Sequence, residues 1–215
     1  MVGIMTGIIV ANGSIEDYSF YKKYFDGENL VIAADGGAFH LRRLGVEPDI
    51  LLGDFDSISK EDYNFYNKSN IELLEYPKKK DATDTEIAIS EAVKRGCNKI
   101  IIIGGVGSRF DHSISNVFLL KQMLDKGVIG IVVNEYNEIY LVRDRISVEA
   151  EKGYKLSLLP VTERVEGITT KGLYYELADD TIELGSSRGI SNEFLSDNAE
   201  ILIKNGTLMV IKSKD

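Results

Sequence analysis

Over the first two thirds of the chain, apolar residues fall into short unbroken runs separated by stretches with helical spacing. The runs are Gly7-Ile8-Ile9-Val10-Ala11, Asn29 to Ala34, Ile50-Leu51-Leu52, Ile71 to Leu74, Lys99 to Ile103 and Gly130 to Val133. Unbroken runs of this kind mark strands covered on both faces, as in a parallel sheet. Between them, residues 38–44, 61–67, 83–95 and 112–126 are helix candidates. The last is the clearest, because Ile114, Val117, Phe118, Leu120 and Leu124 form an apolar stripe and Gly127 supplies a stop. Alternating strand and helix implies an open, mostly parallel α/β sheet with helices on both faces. Ligands of such sheets sit beyond the carboxyl ends of the strands.

After about residue 143 the pattern changes. Residues 155–159, 164–168, 173–177, 199–203 and 207–211 read as short strands, with turn signals such as Lys171-Gly172 and Asn205-Gly206 between them. Asn-Gly favours a type I′ hairpin. No long helical stripe appears. The expectation is an α/β domain over residues 1–143 and an all-β sandwich over 144–215, small enough to need a partner surface.

Composition narrows the function classes. A net charge of −9 over 215 residues argues against nucleic-acid binding through a broad basic surface. It leaves room for a phosphorylated small molecule, because a few local cations and a metal ion outweigh the global field. Cys97 is the single cysteine, which excludes an intrachain disulfide and fits a reducing compartment. No apolar run is long enough to span a bilayer, and the N-terminus lacks the basic start of a signal peptide, so a cytoplasmic protein is expected.

The polar residues concentrate where the strands end. The third run leads into Gly53-Asp54-Phe55-Asp56-Ser57, and in extended chain Asp54 and Asp56 would point to the same side. The bland alternative is a turn whose Asp side chains bond their own backbone. The second run ends in Asp35-Gly36-Gly37, the fourth is followed by Lys78-Lys79-Lys80-Asp81-Ala82-Thr83-Asp84, and the fifth by Gly104-Gly105-Val106-Gly107-Ser108-Arg109-Phe110-Asp111-His112. In a parallel sheet all four clusters share one edge. Each also has an ordinary reading: a helix cap among Asp81 to Asp84, a solvated lysine loop, an N-cap at Asp111, a surface histidine at His112. The glycine run is not a dinucleotide fingerprint, since Phe110 stands where the third glycine belongs. It still suits an anion gripped by backbone N–H groups and by Arg109. Oxygen-only ligands (Asp54, Asp56, Asp84 and Asp81) are what Mg²⁺ accepts alongside polyphosphate, and Lys80 and Arg109 would offset charge on a transferring phosphoryl group.

Together these segments resemble the thiamine pyrophosphokinase family. The carrying residues are Ala34 to Ala38, Gly53 to Ser57, Lys80 to Asp84, Gly104 to His112 and Gly185 to Phe194, in that order along nearly the whole chain. The resemblance implies an α/β nucleotide domain, a C-terminal β-sandwich and a homodimer with active sites at the subunit junction. It implies transfer of the terminal pyrophosphate of ATP to the hydroxyl of thiamine, giving thiamine diphosphate and AMP. On it Asp54, Asp56, Lys80, Asp84 and Arg109 are catalytic, and Asp54, Asp56 and Asp84 hold Mg²⁺ with Asp81 beside them. ATP meets Asp35, Gly36, Gly37, Lys80, Thr83, Gly105, Arg109, Asp111 and His112, and thiamine meets Ser187, Ser191 and Asn192. Either Asp54 or Asp56 would take the substrate proton. Two departures stand out. Phe39 and His40 follow Ala38, where the family commonly continues with Asn, and the chain has no Trp to lie against the thiamine ring. Tyr174, Tyr175 and Phe194 are the candidates for that role. Competing readings are the same chemistry on another alcohol such as a pterin, a phosphohydrolase with Asp54 as nucleophile and Asp56 as acid, and a non-catalytic nucleotide sensor.

Overall fold

The unbroken runs are strands. A computed structural model describes residues 3–56, 58–67 and 71–215, so Ser57, the last residue of the Asp54 motif, lies outside the described residues. The chain divides into two units, Met1–Glu135 and Tyr136–Asp215. In the first, the described strands are β1 (Thr6–Val10), β2 (Asn29–Ala34), β3 (Ile50–Gly53), β4 (Glu72–Glu75), β5 (Lys99–Ile103) and β6 (Ile129–Val133). They lie in the order β6-β5-β1-β2-β3-β4, and all of these pairings are parallel. The chain builds outward from β1 to β4 and then returns to the other side of β1, which creates a switch point between β1 and β5.

Helices cover both faces. They are α1 (Tyr18–Tyr21), α2 (Gly37–Leu44), α3 (Lys60–Tyr66), α4 (Asp84–Lys94) and α5 (Phe110–Asp125). On one face Ile8, Val10, Val31, Ala33, Leu51 and Ile103 pack with Ala38 and Leu41 of α2 and with Tyr21 and Tyr66. On the other, a Cβ at Gly7 would meet Ala92 of α4, and one at Gly130 would meet Leu120 and Met123 of α5. Fully buried isoleucines run through β1, β2, β3 and β5, each contributing roughly 1.5–3 kcal/mol over exposure. Side-chain caps set three helix starts: Asp17 accepts from Ser19 N, Ser59 from Asp62 N, and Thr83 from Glu86 N. Thr83 therefore takes the cap expected of Asp81 or Asp84, and Asp84 supplies a first-turn charge. Helix α5 begins at Phe110 with Arg109 at its N-cap, so Asp111 lies inside the first turn and does not cap.

The second unit is a sandwich. Its strands are β7 (Asn137–Val142), β8 (Arg145–Glu149), β9 (Lys155–Pro160), β10 (Arg164–Lys171), β11 (Asp180–Glu183), β12 (Asn192–Glu193), β13 (Asn198–Leu202) and β14 (Leu208–Ser213). One layer has the order β12-β9-β14-β7 and the other β11-β10-β13-β8, all antiparallel. Leu156, Leu158, Leu208 and Val210 of the first layer share a core with Val148, Val165, Ile182 and Ile201 of the second. The division at residue 135 precedes the expected 143, because β7 pairs with β14 over its whole length and belongs to the sandwich. Two sequence expectations fail here. Residues 173–177 form no strand, only a single bridge from Leu173 to Phe194. Asn205-Gly206 closes no tight hairpin, because β13 and β14 lie in different layers and Asn205 instead pairs with Glu166.

Candidate active site

Parallel register brings the strand ends to one edge. Val10 sits opposite Ala33 and Ile103, and Ala34 opposite Leu52, so the segments after these strands emerge side by side. There a cleft of about 510 Å³ opens, with Asp35, Asp54, Asp56, Lys80, Asp84 and Arg109 among its walls.

Its acidic side is built from two strained turns. Asp35 has φ 47° and Phe55 φ 60°, left-handed values that non-glycine residues adopt only when held there. Asp35 N donates to Leu52 O at 2.7 Å, tying the end of β2 to β3. Asp54 Oδ1 accepts from Asp56 N at 3.1 Å, so the bland turn reading of this pair is also true. The turn does not disperse the charge. Oxygens of Asp35, Asp54 and Asp56 lie within 4.8 Å of one another, the hard donor set that a divalent cation takes. This differs from the expected metal set. Asp35, expected to meet ATP, joins the cluster, whereas Asp84 lines the cleft without joining it, and Asp81 is exposed outside the cleft.

Cations face the carboxylates. Lys78 is ion-paired with Asp56, which holds the ammonium above its ordinary pKa. Lys80 Nζ is ion-paired with Asp84 Oδ1 at 2.9 Å, both atoms being buried. Arg109 and Asp111 form an exposed pair at 2.7 Å; the partner raises Arg109 and lowers Asp111. Arg109 and the exposed His112 line the cleft, as does Thr83, whereas Asp111 does not.

The glycines divide by role. Gly105 lines the cleft, and its carbonyl accepts from Asn116 Nδ2 at 2.8 Å. Gly36 and Gly37 do not line it. A Cβ at Gly37 would stand 1.9 Å from Val10 O, so this glycine allows the β2 turn to lie against β1. The sequence reading missed Asn12-Gly13-Ser14, which comes after β1 at the switch point and lines the cleft. Gly13 N donates to Gly104 O at 2.8 Å, and a Cβ on Gly13 would sit 2.3 Å from that oxygen. It also missed Ser113, whose hydroxyl accepts from Gly107 N at 3.0 Å and fixes the glycine loop to α5.

In the sandwich, the three predicted thiamine residues differ in kind. Ser187 and Ser191 are exposed, and Ser191 has φ 58° with its N–H donated to Ser157 Oγ at 3.0 Å. Asn192 is buried. Its Oδ1 accepts from Tyr175 N at 3.0 Å and Glu193 N at 2.9 Å, and its Nδ2 donates to Tyr175 O at 2.8 Å. Asn192 thus holds the loop that presents Tyr174 and Tyr175, both exposed, while Phe194 packs against the core.

Residues 21–132 match the family of the thiamin pyrophosphokinase catalytic domain, and residues 143–208 that of the thiamin pyrophosphokinase vitamin B1 binding domain. The chain belongs to the thiamine pyrophosphokinase family. It is 30% identical over 210 residues to thiamine pyrophosphokinase of Bacillus subtilis, covering 96% of this chain and 98% of that one. The crystal structure of the Bacillus subtilis enzyme superposes with a TM-score of 0.90 at 28% identity, over 98% of this chain and 99% of that one. That of thiamin pyrophosphokinase from Geobacillus thermodenitrificans gives 0.85 at 31% identity, over 98% of each. The chain is therefore an enzyme of this family, with the family's α/β sheet and β-sandwich. Among the described residues, no helix is long and apolar enough to cross a membrane.

Proposed function

We propose that this thiamine pyrophosphokinase homologue transfers the pyrophosphoryl group of ATP to the hydroxyl of thiamine, giving thiamine diphosphate and AMP. The observation that carries this reading is one cleft at a sheet switch point lined by three clustered carboxylates together with Lys80 and Arg109. The carboxylate cluster fits Mg²⁺, with Asp35, Asp54 and Asp56 as its holders. When bound, the ion would neutralise polyphosphate charge. Lys80 and Arg109 meet phosphate oxygens, and the glycine loop before α5 offers backbone N–H groups to the same anion. A carboxylate of the Asp54–Asp56 pair accepts the hydroxyl proton of thiamine. Ser187 and Ser191 contact thiamine, and Asn192 holds the adjoining loop. The match to a vitamin B1 binding domain favours thiamine over a pterin alcohol.

The reading extends to a cytoplasmic homodimer. Phe110, Ile114 and Phe118 are exposed at four-residue spacing along α5, which supports self-association, and the free Cys97 suits a reducing compartment. The deciding experiment incubates the protein with ATP, Mg²⁺ and thiamine and resolves the nucleotides. AMP formed in step with thiamine diphosphate is expected. ADP, phosphate release without acceptor, or no turnover would overturn the proposal. Asp56→Asn should abolish turnover and leave the circular dichroism spectrum unchanged.

A further inference from the structure

Glu135 comes after β6 at the same sheet edge as the cleft, yet the proposed chemistry makes no use of it. It is 9% exposed. Its Oε1 accepts from two successive backbone groups, Glu16 N at 2.8 Å and Asp17 N at 2.9 Å, and its Oε2 accepts from Tyr21 OH at 2.7 Å. Burial alone would raise the carboxyl pKa, but these hydrogen bonds outweigh it and hold Glu135 below the usual range. What it grips is the far end of the segment that begins with Asn12, Gly13 and Ser14 in the cleft wall. The near end is tied to β5 through Gly13 N and Gly104 O. The wall at the switch point is therefore a short span clamped at both ends, and a buried carboxylate is the second clamp.

We propose that Glu135 is a positioning residue for nucleotide binding: through Glu16, Asp17 and Tyr21 it holds the Asn12–Ser14 wall of the cleft in the shape that receives polyphosphate. This rests on the reading of the cleft as an ATP site. Three donors converge on two charged oxygens. A glutamine of equal size loses that charge, and its N–H₂ either meets a backbone N–H or makes the Tyr21 hydroxyl accept where it now donates.

The test pairs calorimetric binding of a non-hydrolysable ATP analogue with steady-state kinetics and melting temperature. Glu135→Gln should weaken analogue binding and raise the KM for ATP about tenfold, the size of one lost charge-assisted hydrogen bond. kcat and the KM for thiamine should stay within about twofold, within the spread of small context effects. Hydrogen exchange should quicken in a peptide spanning residues 12–17. Glu135→Asp, which keeps both acceptor oxygens, should recover part of the affinity. A Glu135→Gln protein with a lower melting temperature but wild-type analogue affinity would overturn the inference and leave the ATP reading standing. Failure of the wild type to bind the analogue would overturn both. Should Glu135→Gln not fold, Tyr21→Phe decides. It removes one donor and should raise the KM for ATP about threefold, and an unchanged KM would count against the proposal.

Discussion

Asp35 and Ser191 are both held at positive φ, 47° and 58°, and both adjoin side chains proposed to meet substrate. Such backbone costs about 1–3 kcal/mol, so in each case the surroundings impose it. The outcomes differ. In the α/β unit the strained turns bring Asp35, Asp54 and Asp56 within 4.8 Å, concentrating charge that calls for an external cation. In the sandwich the neighbouring Asn192 turns its amide inward, bonding Tyr175 and Glu193, and leaves a firm loop with two exposed serines. One region stores unfavourable charge for chemistry and the other satisfies its polar groups for shape. Damage to the first should appear in turnover, and damage to the second in affinity and stability.

Asp54→Asn should break the first region most sharply. We expect kcat to fall on the order of 10²–10³-fold, as when a main electrostatic group is removed from an active site. The melting temperature should hold or rise, because one of three crowded carboxylates has lost its charge. Asp35→Asn should behave alike and lose metal affinity, measurable by titration with Mn²⁺. A variant that lost stability in proportion to activity would erase the contrast with the sandwich. Gly37→Ala tests the frame of the same region. Its Cβ would meet Val10 O at 1.9 Å, and we expect about 3 kcal/mol of destabilisation by urea unfolding. A loss below about 0.5 kcal/mol, the range of ordinary surface changes, would show that the β2 turn is not pressed against β1.

Asn192→Ala probes the other side. Three hydrogen bonds vanish and the Tyr175 backbone is left unpaired, so a loss of about 2 kcal/mol is expected. The KM for thiamine should rise about tenfold while the KM for ATP stays level. An equal rise in both would mean that the two regions are not separable in function.

What the sequence revealed of this contrast depended on whether the signal was local. Unbroken runs such as Lys99 to Ile103 announced the parallel strands, and the carboxylates at Asp54 and Asp56 announced a site. Asp35 as a third cluster member was not legible, because it depends on β2 lying beside β3, a fact of strand order. Asn12-Gly13-Ser14 looked like any turn and gained meaning only once β1 paired with β5. In the sandwich, Leu173-Tyr174-Tyr175 has strand composition, yet Asn192 holds that segment as a loop with both tyrosines exposed. The mixed charges of β7 and β8 hid two real strands whose partners are far along the chain.

The smallest effect concerns His40, which with Phe39 follows Ala38. It is buried in α2 with Nδ1 2.8 Å from Tyr18 OH. Burial lowers its pKa; a hydrogen bond to the Gly13 backbone opposes this, and Arg43 adds to it. The folded state therefore refuses a proton that the unfolded chain accepts below about 6.5, the ordinary histidine value. Wherever the unfolded state binds more protons, stability falls as pH falls. The lowered carboxylates, Glu91, Glu135, Asp17 and Asp111, act in the same direction but only near their own ordinary values of 4.5 and 3.8. Between pH 7 and pH 5.5, His40 should thus contribute to a gentle decline in melting temperature that His40→Gln flattens. Because His40 adjoins Gly13 in the cleft wall, the KM for ATP should rise over the same interval while the KM for thiamine does not. An identical pH profile in wild type and His40→Gln would remove the ring from any role in setting that wall.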